Sequence, residues 1–153
     1  MMTELLSPET IESLEYFLKK DSQAISYTLD MLFLAHGCDD IHDQDVENTK
    51  ENIRLLFRKI YVDVPLNPFY RKHSNELAPL MANSYLMWSA SVALENGDEH
   101  SRFACFQIRN FILSVIAHCI YLVGGSDWAD SVLPDYWLKF APKLDKWEEL
   151  KVE

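Results

Sequence analysis

Apolar residues in this chain return every three or four positions, and nearly every such stretch is bracketed by helix start and stop signals. Ser7 then Pro8 pairs an N-cap with a residue suited to the first helical position, and Ile11, Leu14, Phe17 and Leu18 follow as one face of a helix of about three turns. A second start at Asp21 or Ser22 leads into Ile25, Leu29 and Leu32; this helix is expected to reach about Asp43, with Gly37 as its weak point. Val46, Ile53, Leu56, Phe57 and Ile60 predict a third amphipathic helix, ended by the β-branched, proline-containing stretch from Tyr61 to Pro65. Asn67 and Pro68 repeat the cap-plus-proline signal.

Pro79 breaks or begins the next segment, whose apolar run from Leu80 to Leu94 stops at Asn96 and Gly97, where a left-handed cap is expected. A fifth helix from about Asp98 to Val123 is closed by Gly124 and Gly125. Pro134 and Pro142 divide the remainder into short helical pieces, with Trp128, Tyr136, Trp137 and Trp147 packing on the main body. The expectation is an all-α fold, one domain over residues 1–153, with about five main helices in a bundle and short C-terminal helices across one end. With 153 residues and a hydrophobic fraction of 48%, the chain can bury a core without disulfides or metal, and four glycines are too few for a turn-rich β-sandwich.

A net charge of −10 repels the phosphate backbone, so no direct nucleic-acid binding is expected. Cys38, Cys105 and Cys119 are odd in number and lack CxxC spacing, which fits reduced thiols in a cytoplasm. The start MMTELLSPET has neither the basic nor the apolar region of a secretory signal. Phe111 to Val123 is shorter than the roughly 20 residues of a membrane span and carries Ser114 and His118, so it reads as a buried helix and no membrane partner is expected.

One segment, FLAHGCDDIHDQD, concentrates ionisable groups. Continuing the Ile25, Leu29, Leu32 stripe at helical period places His36, Asp40 and Asp43 on the core-facing side, where carboxylates are costly unless paired or metal-bound. Asp40 and Asp43 at i, i+3, with Asp39 or His36, would offer hard oxygen ligands suited to Mg²⁺ or Mn²⁺. The competing reading has the helix fray at Gly37 and leaves DDIHDQD as a solvated acidic loop.

A polar stripe, Gln107, Asn110, Ser114 and His118, runs along the otherwise apolar fifth helix and could wall a pocket opposite the carboxylates. In that arrangement His118 and Asn110 are the candidate catalytic or hydrogen-bonding groups, while an internally satisfied network is the structural alternative. Asn83 shares a stripe with Met87, Ala90 and Leu94 and is expected to point inward. Arg71, Lys72 and His73 form a compact basic cluster in which Arg71 could meet a phosphate. No GxSxG, P-loop, GxGxxG, HExxH or paired CxxC occurs, which removes the common nucleophile, nucleotide and zinc signatures.

Asp39, Asp40, Ile41, His42 and Asp43 look like the DDxxD motif of trans-prenyl diphosphate synthases, although a second aspartate-rich motif is lacking. Glu12 to Glu15 and Glu95 to Asp98 match the short ExxE and ExxD patterns of all-α nucleoside-triphosphate pyrophosphatases, at a wider separation than those enzymes use. The order DDIHDQD, NPFYRKH, a helix with Pro79, Leu80, Met81 and Asn83, then GGSDW resembles small helical proteins of tailed bacteriophages, a group without assigned activity. That resemblance implies expression in a bacterial host's cytoplasm. Two functions are expected from these features: a Mg²⁺- or Mn²⁺-dependent hydrolase or binder of a phosphorylated small molecule or nucleotide, or a non-enzymatic phage accessory protein that binds a host protein through an acidic surface.

Overall fold

Four helices in this protein begin where a side chain satisfies the first free backbone N–H groups. In the computed structural model, which describes residues 7–44 and 50–152, Ser7 caps α1 (Pro8–Phe17) by accepting the Thr10 N–H at 3.2 Å. Asp21 caps α2 (Ser22–His42) by accepting the Gln23 and Ala24 N–H groups, each at 3.0 Å. Asn67 caps α5 (Pro68–Leu94) through Tyr70 at 3.0 Å, and its amide also donates to the Gln23 carbonyl at 3.0 Å, tying the starts of α2 and α5 together. Asp98 caps α6 (Glu99–Ile108) through Ser101 at 2.8 Å.

Between α2 and α5 the chain forms α3 (Lys50–Arg58), a π-helical turn (Lys59–Asp63) and the single turn α4 (Val64–Leu66). After α6 come α7 (Ile112–Gly124), α8 (Ser126–Phe140) and α9 (Leu144–Val152), and no strand occurs among the described residues. The fold is all-α, as expected.

The apolar face of α7 lies at the centre, with Val115, Ile116, Cys119 and Ile120 essentially inaccessible. Against it pack Tyr27 and Met31 of α2, Leu77 of α5, Tyr136 of α8, and Leu14 and Phe17 of α1. Tyr136 is buried and donates its hydroxyl to the Leu113 carbonyl at 2.8 Å, so the core accepts its polar tip. Trp128 of α8 donates its indole N–H to the Phe17 carbonyl at 3.0 Å, closing the C-terminal end of α1. Trp147 of α9 stands edge-on to Phe103 of α6 at 5.1 Å, so the aromatic packing expected of the C-terminal segment is present.

Several boundaries differ from the expectation. Pro79 and Pro134 lie inside α5 and α8; the non-helical backbone of α5 is at His73 (φ −115°, ψ 18°), well before Pro79. Gly97 takes no left-handed φ; α5 ends at Leu94, and the Arg102 guanidinium holds the Gly97 carbonyl at 2.9 Å instead. Gly125 does adopt φ 82° and stops α7. The expected fifth helix is two, because i to i+3 bonds at Arg109–Phe111, such as Leu113 N–H to the Asn110 carbonyl at 3.0 Å, tighten the chain into a turn. By length and composition the whole run Glu99–Gly124 could cross a membrane, with a mean hydropathy of 1.5 in its most apolar window, yet its α7 half supplies the centre of the core.

Gly37 does not fray α2. It is buried mid-helix, and a Cβ there would collide with the Leu56 side chain, so the missing side chain is what lets α3 approach α2. Phe57 and Ile60, expected on the buried face of the third helix, are 56% and 47% exposed, because Leu56 alone in α3 reaches the interior. Val46 and Asp45 lie outside the described residues, as does the N-terminal segment before Ser7.

Candidate functional site

A cavity of about 230 Å³ lies between α2, α5 and the α6–α7 turn. Three elements wall it by simple helical spacing. From α2 come Met31, Leu34, Ala35, Cys38 and Asp39, all on one face, with His36 at its edge. From α5 come Met81, Ser84, Tyr85 and Trp88, at i, i+3, i+4 and i+7. The turn adds Arg109 and Asn110, the first residue of α7 adds Ile112, and Ile60 of the π turn stands at the rim.

The polar residues gather around one carboxylate. Trp88 donates its indole N–H to Asp39 Oδ1 at 3.1 Å, and Arg109 Nη2 stands 3.5 Å from Asp39 Oδ2. Both side chains of that ion pair are one-third exposed (33%), so the pair faces the cavity mouth rather than the dry core. At 3.5 Å the pair is looser than a good charge-assisted hydrogen bond, which leaves guanidinium donors for another acceptor. His42 flanks Trp88 edge-on at 6.0 Å and lies 3.8 Å from Glu95.

His36 is held below the usual imidazole range: burial disfavours its charged form, and Asp40 and Asp39 offset that only in part. It is therefore a neutral imidazole at pH 7. Burial, reinforced by the Asp39 charge, pushes the Cys38 thiol up, so it stays protonated and is a poor nucleophile.

Of the residues singled out in the sequence, His36, Asp39 and Asn110 line this cavity, and Asp40, Asp43, Asn83, Arg71 and His118 do not. The inward face of α2 runs through Tyr27, Met31, Ala35 and Asp39, one position ahead of the expected stripe, so Asp39 takes the place given to Asp40. Asp43 is the exposed C-cap residue of α2. On α5 it is Ser84, buried, that faces inward, with Asn83 half-buried beside it. Arg71 is exposed in the first turn of α5.

The turn at Arg109–Phe111 also splits the polar stripe. Gln107, Asn110 and Ser114 line a second hollow of about 360 Å³, beside Phe106, Trp137 and Pro142. His118 instead lies 3.3 Å from Glu76 of α5.

Trp88 and Arg109 were missed. Arg109 did carry a signal, being the only lysine or arginine between Phe103 and Val123.

The donor set does not fit a metal ion. Among the described residues no group of three or more His, Cys, Asp and Glu side chains is placed to hold one, and both oxygens of Asp39 already face N–H donors. No family model, curated protein or solved structure matches the chain.

Proposed function

We propose that the protein binds a small organic molecule in the cavity between α2, α5 and the α6–α7 turn, with an apolar body and a single acceptor-bearing, acidic end. The observation that carries this reading is the Asp39–Trp88–Arg109 group set into a wall to which Met31, Leu34, Met81 and Ile112 give an apolar body. Apolar lining with a few convergent polar groups is the usual make-up of a small-molecule site. Arg109 is the only lysine or arginine in the lining, so one carboxylate or phosphate oxygen set is matched and a polyphosphate is not.

Asp39 and Trp88 orient the guanidinium instead of competing for the ligand, and Asn110 offers an amide at the same end. Neutral His36 adds a donor and an acceptor without adding charge. Binding, not turnover, is what this lining supports: the thiol present is protonated, and the metal expected from the aspartate cluster has no ligand set among the described residues.

The test is ligand-observed NMR with aryl and alkyl monocarboxylates beside their neutral amides, on wild type, Arg109→Met and Met81→Trp. Preference for the acids, lost at least about tenfold in Arg109→Met and blocked in Met81→Trp, supports the reading. Equal binding of acids and amides, or binding untouched by filling the cavity, overturns it.

A further inference from the structure

The protein carries 24 acidic residues against 14 basic ones, but the excess reverses in one stretch. Between positions 50 and 72 stand Lys50, Arg54, Arg58, Lys59, Arg71 and Lys72, against only Glu51 and Asp63. Lys59 is turned inward onto Asp30 at 2.6 Å, whereas Lys50, Arg54 and Arg58 lie on the exposed face of α3.

The same stretch exposes large apolar side chains. Phe57 is 56% accessible, Tyr61 74% and Leu66 62%, with Leu55, Ile60 and Val62 also exposed. Phe57 and Tyr61 stack on each other with ring centres 6.3 Å apart, an aromatic pair on the outside of the molecule. Such a run of exposed apolar residues marks an interaction surface.

We infer that α3, the π turn and α4 form a docking surface for an anionic lipid bilayer. Charge complementarity selects this occupant. Lys50, Arg54 and Arg58, the last exposed although its Nε lies 3.5 Å from Asp63, stand amid aromatic and aliphatic side chains and match a lipid interface, where cations meet headgroup phosphates and apolar groups enter the acyl boundary. The other residues of the chain together carry a net negative charge, so an anionic membrane favours approach by this basic face.

Other occupants fit less well. Twofold pairing with a second copy would set Arg54 and Arg58 against like charges. Single-stranded nucleic acid would stack on Phe57 and Tyr61 but find no use for Leu55, Val62 and Leu66. A peptide needs a groove, whereas Tyr61 and Leu66 stand proud of the surface. Ile60 belongs both to this surface and to the cavity rim, so a docked protein would open its cavity beside the lipid.

The experiment is vesicle flotation with phosphatidylcholine alone and with about one-third phosphatidylglycerol, at low and physiological salt. Wild type is expected to float with the anionic vesicles, less so as salt rises, and not with the neutral ones. Arg54→Glu/Arg58→Glu and, separately, Phe57→Ser/Tyr61→Ser/Leu66→Ser should each lower partition by about tenfold or more, with circular dichroism confirming helical content. A milder probe, Tyr61→Trp, should gain blue-shifted emission with anionic vesicles relative to wild type. No flotation above neutral vesicles, a folded variant that floats like wild type, an unshifted Trp at position 61, or a dimer in light scattering that these variants dissolve would overturn the proposal.

Discussion

Trp88 and Asp39, 49 positions apart in sequence, are joined by an indole N–H to carboxylate hydrogen bond of 3.1 Å that fixes α5 against the last turn of α2. Removing the donor leaves Asp39 with Arg109 as its remaining N–H neighbour here, and frees both to move. Trp88→Phe is expected to cost about 1 kcal/mol in denaturant unfolding and to weaken acid binding in the cavity, as seen by the same NMR titration. Unchanged stability together with unchanged acid binding would separate Trp88 from the site.

Gly37 is a packing glycine, and helix propensity alone predicts the wrong sign for its replacement. Ala is favoured over Gly within a helix by roughly 1 kcal/mol, yet a Cβ at position 37 meets the Leu56 side chain. Gly37→Ala should therefore lower stability, by about 1–3 kcal/mol, and Leu56→Ala in the same background should cost less than it does alone. Thermal and urea unfolding of the four proteins of that cycle measure the coupling directly.

The ion pair of Asp30 and Lys59, at 2.6 Å, joins α2 to the π turn, and Asp30 is 7% exposed. Breaking it from one side strands a buried carboxylate. Lys59→Met should cost about 3 kcal/mol, whereas Asp30→Leu/Lys59→Met should recover most of that loss, because an apolar pair of similar size carries no desolvation penalty. Comparable losses in the single and double variants would contradict this.

His36 gives the site a pH dependence whose sign follows from burial. Its folded-state pKa lies below the ordinary 6.5, so the unfolded chain binds the proton more readily than the folded one. The stability associated with the neutral ring is fully present above 6.5 and is lost as pH falls from 6.5 towards the folded value, below which the loss levels off. Wild type should thus lose more stability than His36→Gln between about pH 7.5 and 5, followed by unfolding midpoints. Parallel curves for the two proteins would assign the acid sensitivity elsewhere.

Capping was legible in the sequence because its chemistry is local: Ser7, Asp21, Asn67 and Asp98 each satisfy N–H groups two or three residues on, whatever packs nearby. Phase was less so. Ile25, Leu29 and Leu32 suggested one stripe on α2; Leu32 is buried, but α7 is covered by Tyr27 and Met31, and that rotation puts Asp39 rather than Asp40 at the cavity. Apolar character alone does not say which half of a helix its neighbour will choose. The prolines misled for a related reason, since α5 and α8 tolerate Pro79 and Pro134 within their length. Asn110 was recognisable as a polar residue in an apolar run and His36 and Asp39 as members of an ionisable cluster, while the role of Trp88 depends on a contact that no local pattern encodes.

The π turn at Lys59–Asp63 holds one residue more than an α-helical turn would. Leu56 and Val64 are both buried although they lie eight positions apart, where an uninterrupted α-helix would return to the same side at the seventh, Asp63. The extra residue thus acts as a phase shifter. Winding the same residues as an uninterrupted α-helix would swing those that follow, up to the Asn67 cap, by roughly 100° about the axis and present a different set of side chains to the outside. The character of this face is written as much in the chain's length here as in its composition.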